Sequence, residues 1–98
     1  MRLLGKEHVE VFKNKHPTTR RALDRWVSLV EGASFGKPHD IKLLFGLNVD
    51  FVGLQTVFDV GGNKIRTIVK IEYGTKIVLI THVLTHIEYD KGKWRDKK

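Results

Sequence analysis

Cysteine is absent from the 98 residues, which excludes disulfides and thiolate metal sites outright. No apolar run approaches the roughly 18–20 residues that a membrane span needs, and Met1 to Glu10 contains no apolar stretch of the signal-peptide kind. These absences point to a soluble, cytoplasmic protein with no membrane partner. Internal repeats are missing too, as is any sign of a second domain. The expectation is one domain spanning residues 1–98, near the usual size for a single hydrophobic core. An apolar fraction of 41%, with two Trp, five Phe and two Tyr, supplies material for that core.

Positive charge is what the chain has in excess. Eighteen Lys and Arg against eleven Asp and Glu give a net charge of +7 and a pI near 9.9. That balance favours a polyanionic partner, most often nucleic acid. The excess lies at both ends: residues 1–31 hold 7 basic and 4 acidic side chains, residues 32–62 hold 2 and 3, and residues 63–98 hold 9 and 4. The final eight residues, Lys91 to Lys98, carry five positive charges. Such a run is ordinarily a solvated tail, although Trp94 within it argues against pure disorder.

Leu3 and Leu4 suit a short first strand. Val9 and Phe12 then fall at helical spacing between Lys6 and Lys15. Pro17 breaks the pattern, and Thr18 or Thr19 can cap a second helix. Its stripe of Ala22, Leu23, Trp26, Val27, Leu29 and Val30 is broad enough to pack on a sheet, and Gly32 is a suitable stop. Residues 33–53 look irregular, with Asp40 placed to cap one helical turn through Leu43 and Leu44. Leu54 to Val60, Lys64 to Tyr73 and Lys76 to Leu84 are rich in Val, Ile, Thr and aromatic residues, as strands are. Gly61-Gly62-Asn63 and Gly74-Thr75 provide their hairpin turns. The predicted class is α+β: two N-terminal helices packed on a small, mainly antiparallel sheet, with a short C-terminal helix.

Alternation divides the middle strand into two faces. Ile65, Thr67, Val69 and Ile71 point one way and suit packing on the helices, while Lys64, Arg66, Ile68 and Lys70 point the other. Three cations thus share the open face within about 20 Å. A two-residue loop at Gly74-Thr75 sets Arg66 opposite Val83 and Ile68 opposite Thr81, whereas a three-residue loop flips the parity of the last strand. His82 is expected on the core-facing side with Val78 and Ile80, where it needs a hydrogen-bond partner.

Two stretches carry chemistry: Val57-Phe58-Asp59-Val60-Gly61-Gly62-Asn63-Lys64-Ile65-Arg66 and Thr85-His86-Ile87-Glu88-Tyr89-Asp90-Lys91. Together they resemble the HigB family of mRNA interferase toxins, a branch of the RelE-like superfamily. The first is similar to the family's hairpin, with an aromatic residue, a Gly-Gly-Asn turn and a basic residue on the next strand. The second is similar to its C-terminal Thr-His-x-Glu-Tyr-Asp pattern. The resemblance implies a RelE-like fold whose basic face receives RNA, cleavage of mRNA during translation on the ribosome, and inhibition by a HigA-type antitoxin with a helix–turn–helix domain. It implies no cofactor. Asn63, Lys64, Arg66, His86, Tyr89, Asp90 and Lys91 stand at the motif positions. Two positions depart from the pattern: His82 replaces an acidic residue, and Thr81 stands where some relatives carry arginine.

The residue types suit the chemistry. Cutting RNA without a metal uses the substrate's own 2′-hydroxyl as nucleophile, and needs a base, cations for the phosphate and an acid for the leaving oxygen. His86 is the natural proton-transfer group, because imidazole ordinarily titrates at about 6.5. Arg66 can bridge phosphate oxygens through paired donors, while Lys64 and Lys91 act as point charges. Tyr89 can stack on a base or donate its hydroxyl. Asp90 is placed to orient His86 or a basic neighbour, or to cap the terminal turn. His86, Arg66, Tyr89 and Lys91 are therefore the catalytic candidates, with Asn63, Lys64, Lys70, Lys93 and Arg95 as RNA contacts.

Each residue has a plainer use: a surface histidine, a packed tyrosine, solvated lysines. Glu88, acidic on a face meant for RNA, suits a structural role. His82 and His86 lack a third ligand of obvious spacing, so no metal site is expected. Two other functions use the same cations, a non-catalytic RNA- or ribosome-binding module and a ParE-like toxin directed at gyrase. His86 and Tyr89 favour the nuclease over both.

Overall fold

A computed structural model describes residues 1–62 and 64–95; Asn63, expected to contact RNA, lies outside the described residues. The elements run β1 (Arg2–Leu4), α1 (Lys6–Lys15), a 3₁₀ turn (Pro17–Thr19), α2 (Arg20–Glu31), α3 (Pro38–Phe45), a second 3₁₀ turn (Gly46–Asn48), β2 (Val49–Val52), β3 (Gln55–Val60), β4 (Ile65–Glu72), β5 (Ile77–Thr85) and α4 (His86–Asp90). The strands form one sheet in the order β1-β5-β4-β3-β2. β1 runs parallel to β5, and the other three pairings are antiparallel. This is the α+β arrangement expected, and it is compatible with a RelE-like fold. No helix among the described residues is long and apolar enough to cross a membrane.

The apolar stripes of the helices cover one face of the sheet. Val9 and Phe12 of α1, and Leu23, Trp26 and Val30 of α2, pack with Phe58, Val60, Ile65, Val69, Val78 and Ile80. Trp26 meets Phe58 edge-on at 5.4 Å, a core position as its helical spacing predicts. Gly5 joins β1 to α1 at φ 83. A Cβ there would collide with the Ile80 carbonyl oxygen, so only glycine lets the chain turn so closely over β5.

Residues 33–53 are more regular than their composition implies. Pro38 opens a helix of eight residues, not one turn, and Asp40 accepts a hydrogen bond from the Gly36 amide at 2.9 Å. Val49–Val52 is an edge strand, with Gly53 and Leu54 as the two-residue turn into β3. Leu54, predicted to start a strand, sits in that turn and is exposed. Four residues of β2 are too few for a period-2 pattern to stand out from loop sequence.

The last hairpin also differs. Its connection is the four residues Tyr73–Lys76, and the pairing Glu72 with Ile77 keeps the parity of a two-residue loop. The register then shifts: Val69 faces Ile80, but Ile68 faces His82 and Arg66 faces Leu84. Thr81 is the extra residue of this bulge, and its hydroxyl donates to the Ile68 carbonyl at 3.1 Å. One inserted residue flips every side chain beyond it. His82 therefore does not share the core side with Val78 and Ile80; it lies on the open face with Leu84.

Candidate active site

The β3–β4 register sets Asp59 directly opposite Arg66, both on the face away from the helices. Arg66 is only 6% exposed, and a buried charge must be matched by charge and hydrogen bonds. Its Nε lies 3.0 Å from Asp59 Oδ1, and Nη1 donates to the Ile65 carbonyl at 3.4 Å. Nη2 lies 3.1 Å from His86 Nδ1. The guanidinium carbon also sits 5.2 Å from the centre of the Tyr89 ring.

His86 opens α4, a helix held by a full capping box. Thr85 Oγ1 accepts from the Glu88 amide at 3.2 Å, and Glu88 Oε1 accepts from the Thr85 amide at 2.9 Å. The hydrogen bond from the Thr85 amide holds the Glu88 carboxyl below its ordinary pKa, a structural use of that acid. The His86 amide donates to the Lys64 carbonyl at 3.1 Å, tying the start of α4 to the start of β4.

The imidazole geometry follows from donor rules. A guanidinium has donors only, so His86 Nδ1 accepts from Arg66 and the ring proton resides on Nε2. That N–H faces Asp90 Oδ2 at 3.3 Å, one helical turn on. Asp59, Arg66, His86 and Asp90 thus form one chain of contacts, buried at Asp59–Arg66 and open to solvent at His86–Asp90.

Beyond α4 the chain folds back over the open face. Trp94 is 3% exposed and packs on Val57 and Ile68, with Leu84 and Tyr89 alongside. Its ring stacks on Tyr89 at 4.8 Å with planes 12° apart, and Arg95 lies over the indole at 5.0 Å. Burial, with a smaller push from Asp50, raises the Tyr89 hydroxyl above its ordinary pKa. At neutral pH that hydroxyl is a proton donor.

Of the candidate residues, Arg66, His86, Tyr89 and Asp90 come together in this cluster. Lys64 adjoins it through its backbone and is exposed. Lys91, Lys93 and Arg95 are exposed on the returning segment, and Lys91 and Lys93 line a groove with His82, Leu84 and Trp94. Lys70 is exposed and faces Leu79, four strand positions from Arg66, about 13 Å along the strand. His82 Nδ1 lies 3.0 Å from Thr81 Oγ1. Among the described residues no three His, Asp or Glu side chains converge as metal ligands. Sequence reasoning missed two members of the site, Asp59 and Trp94. The turn expected at Gly61-Gly62-Asn63 pairs Phe58 with Arg66, which hides Asp59 in the sequence; the observed Val60–Ile65 pairing is what sets it opposite Arg66.

Comparison with known proteins identifies a family and its relatives. Residues 19–92 match the HigB toxin family, described as the RelE-like toxic component of a toxin–antitoxin system. The chain is similar to an mRNA interferase HigB of Escherichia coli O6:H1, 29% identical over 93 residues that cover 93% of this chain and 90% of the relative. It is also similar to the mRNA interferase toxin HigB of Escherichia coli K12, 27% identical over 92 residues covering 92% and 88%.

Proposed function

Because the chain belongs to the HigB family, the RelE-like toxic component of a toxin–antitoxin system, we propose that it is an mRNA interferase, an endoribonuclease whose cutting of mRNA arrests growth. The observation that carries this function is the contact chain Asp59–Arg66–His86–Asp90, which joins a phosphate-binding cation to a proton-transfer group. The substrate's 2′-oxygen attacks phosphorus and the P–O5′ bond breaks, leaving a 2′,3′-cyclic phosphate and a 5′-hydroxyl.

His86 Nδ1 holds the lone pair that takes the 2′-proton, so the imidazole has to part from Arg66 first. The scissile phosphate is the natural competitor for that guanidinium edge, since Arg pairs well with phosphate oxygens. Binding therefore pairs Arg66 with the phosphate and frees Nδ1 of His86. Tyr89, protonated at neutral pH, donates to the leaving 5′-oxygen. Asp90 orients the Nε2 side of His86. Lys91 and Lys64 add point charges at the phosphate, and Lys93 and Arg95 extend the contact along the RNA backbone. A well-placed donor of this kind contributes about 2.7–4 kcal/mol to the barrier.

The remaining expectations belong to the same proposal: action in the cytoplasm on mRNA being translated at the ribosome, and restraint by a HigA-type helix–turn–helix antitoxin. The test is primer-extension mapping of cellular mRNA after brief induction of wild type and His86→Ala. New cuts inside translated regions that vanish in the variant support both the activity and the role of His86. Cuts that persist shift the proton transfer to Tyr89 and Lys91. Growth arrest without cuts removes the nuclease altogether.

A further inference from the structure

We propose that Trp94 is a positioning residue for the nuclease site: clamped on the open face of the sheet, it fixes Tyr89, and through Tyr89 the α4 end that carries His86. The proposal rests on the function proposed above. It starts from a weakness of α4, which has only five residues, too few for a helix to hold its own shape in water. The capping box secures its first turn. Its last turn is held by the backbone, with the Lys91 amide donating to the Glu88 carbonyl at 3.3 Å and the Gly92 amide to the Tyr89 carbonyl at 3.0 Å, and by Trp94, whose Nε1–H donates to the same Tyr89 carbonyl at 2.8 Å and anchors it to the sheet.

Trp94 is in turn seated from below. Its ring rests on Val57 of β3 and Ile68 of β4, and its carbonyl accepts from the buried Gln55 side chain at 3.1 Å. A continuous path of contacts therefore runs from the middle of the sheet through Trp94 to the Tyr89 ring, and from that ring to Arg66. The segment matching the HigB family ends at residue 92, so Trp94 lies outside it although the residues that seat it lie within. A tryptophan amid lysines whose ring is nonetheless buried is spent on something other than RNA contact.

The experiment compares wild type, Trp94→Ala and Trp94→Phe in a cell-free translation reaction, following cut ends on a defined mRNA at increasing toxin concentration. Trp94→Ala should lower the rate constant at saturating toxin about 10- to 100-fold, the scale of a small misplacement of reacting groups, with little change in the half-saturating concentration. Trp94→Phe, which keeps a ring on Tyr89, should recover most of the rate. Loss of folded protein alone would reduce the amount cut and leave the rate constant of the folded fraction unchanged. The second readout needs no activity: the imidazole nitrogen NMR signals of His86 should keep the Nδ1-acceptor pattern in wild type and Trp94→Phe, and lose it in Trp94→Ala. A wild-type rate constant in Trp94→Ala overturns the proposal. If wild type cuts nothing, the nuclease function falls, and unchanged His86 signals in Trp94→Ala would then overturn the positioning role separately.

Discussion

Asp59→Ala removes the carboxylate that balances a buried guanidinium, and its cost can be worked from the exposure of the two partners. The Arg66 side chain is 8% exposed and that of Asp59 is 23%. Deleting one partner of a fully buried pair costs about 3–5 kcal/mol. Here Arg66 keeps its contacts to the Ile65 carbonyl and to His86, and the Asp59 side is partly wet, so about 2–3 kcal/mol is the expected loss. For a chain of this length each kcal/mol moves the melting temperature by about 4–8 °C, giving a drop of roughly 8–24 °C. The assay is urea unfolding of wild type, Asp59→Ala, Arg66→Met and the double variant. Asp59→Ala should cost far less once Arg66 is Met, because no buried charge then remains to be balanced, and the cycle should return a coupling of about 1.5–3 kcal/mol. A loss under about 1 kcal/mol, the level of an exposed pair, or an equal loss in both backgrounds, would refute the buried-pair account.

Other perturbations test other parts of the molecule. Gly5→Ala should destabilise the fold by about 1–3 kcal/mol through its positive φ and the collision with Ile80, measured by urea unfolding; a neutral effect would mean that β1 and α1 are not held as described. Thr85→Ala should cost about 0.5–2 kcal/mol as a lost helix cap. Because the Glu88 carboxyl is held below its ordinary value, its contribution is present above pH ~4.5 and disappears as pH falls through the lowered value. The stability gap between wild type and Glu88→Ala should therefore close in acid, and a gap that widens there would contradict the capping box. RNA affinity should fall with a log–log salt slope of about −3 if Lys64, Lys91, Lys93 and Arg95 each neutralise one phosphate of a single strand. A flat profile would remove RNA from the basic surface.

The parts of this fold that sequence reveals are those with a long period. The stripe of α2 and the alternation of β4 each repeat often enough to assign a face, and both match the structure apart from Leu29, which the stripe included and which is exposed. What escapes is single-residue geometry. Nothing in Thr81-His82-Val83 announces a bulge, yet that one inserted residue moves His82 from the core side to the open face. The burial of Trp94 was legible in part. Alternation along β4 puts Ile68 on a face that charge alone would leave to water, and an apolar residue there calls for a cover, whereas Leu84 reaches that face only through the bulge. Composition hid the cover, because the only large apolar residue among the last eight is surrounded by five positive charges.

The structure also divides the positive charge by task. Arg66 is buried, held by Asp59 and His86, and contributes little to the field that RNA meets from a distance. Lys64, Lys91, Lys93 and Arg95 stand in solvent and contribute to that field. In the proposed mechanism attraction and reaction therefore rest on different residues. Neutralising an exposed lysine should weaken binding by a salt-dependent amount while the bound complex reacts as before, since such contacts are made equally in the ground and transition states. A change at Arg66 or His86 should instead act on the bound complex itself, because in the proposed mechanism the phosphate and the 2′-proton are handled only after Arg66 has let go of the imidazole. In the proposed mechanism the burial of Arg66, which at first sight removes a cation from the RNA face, keeps Nδ1 of His86 occupied until a phosphate arrives to take its place.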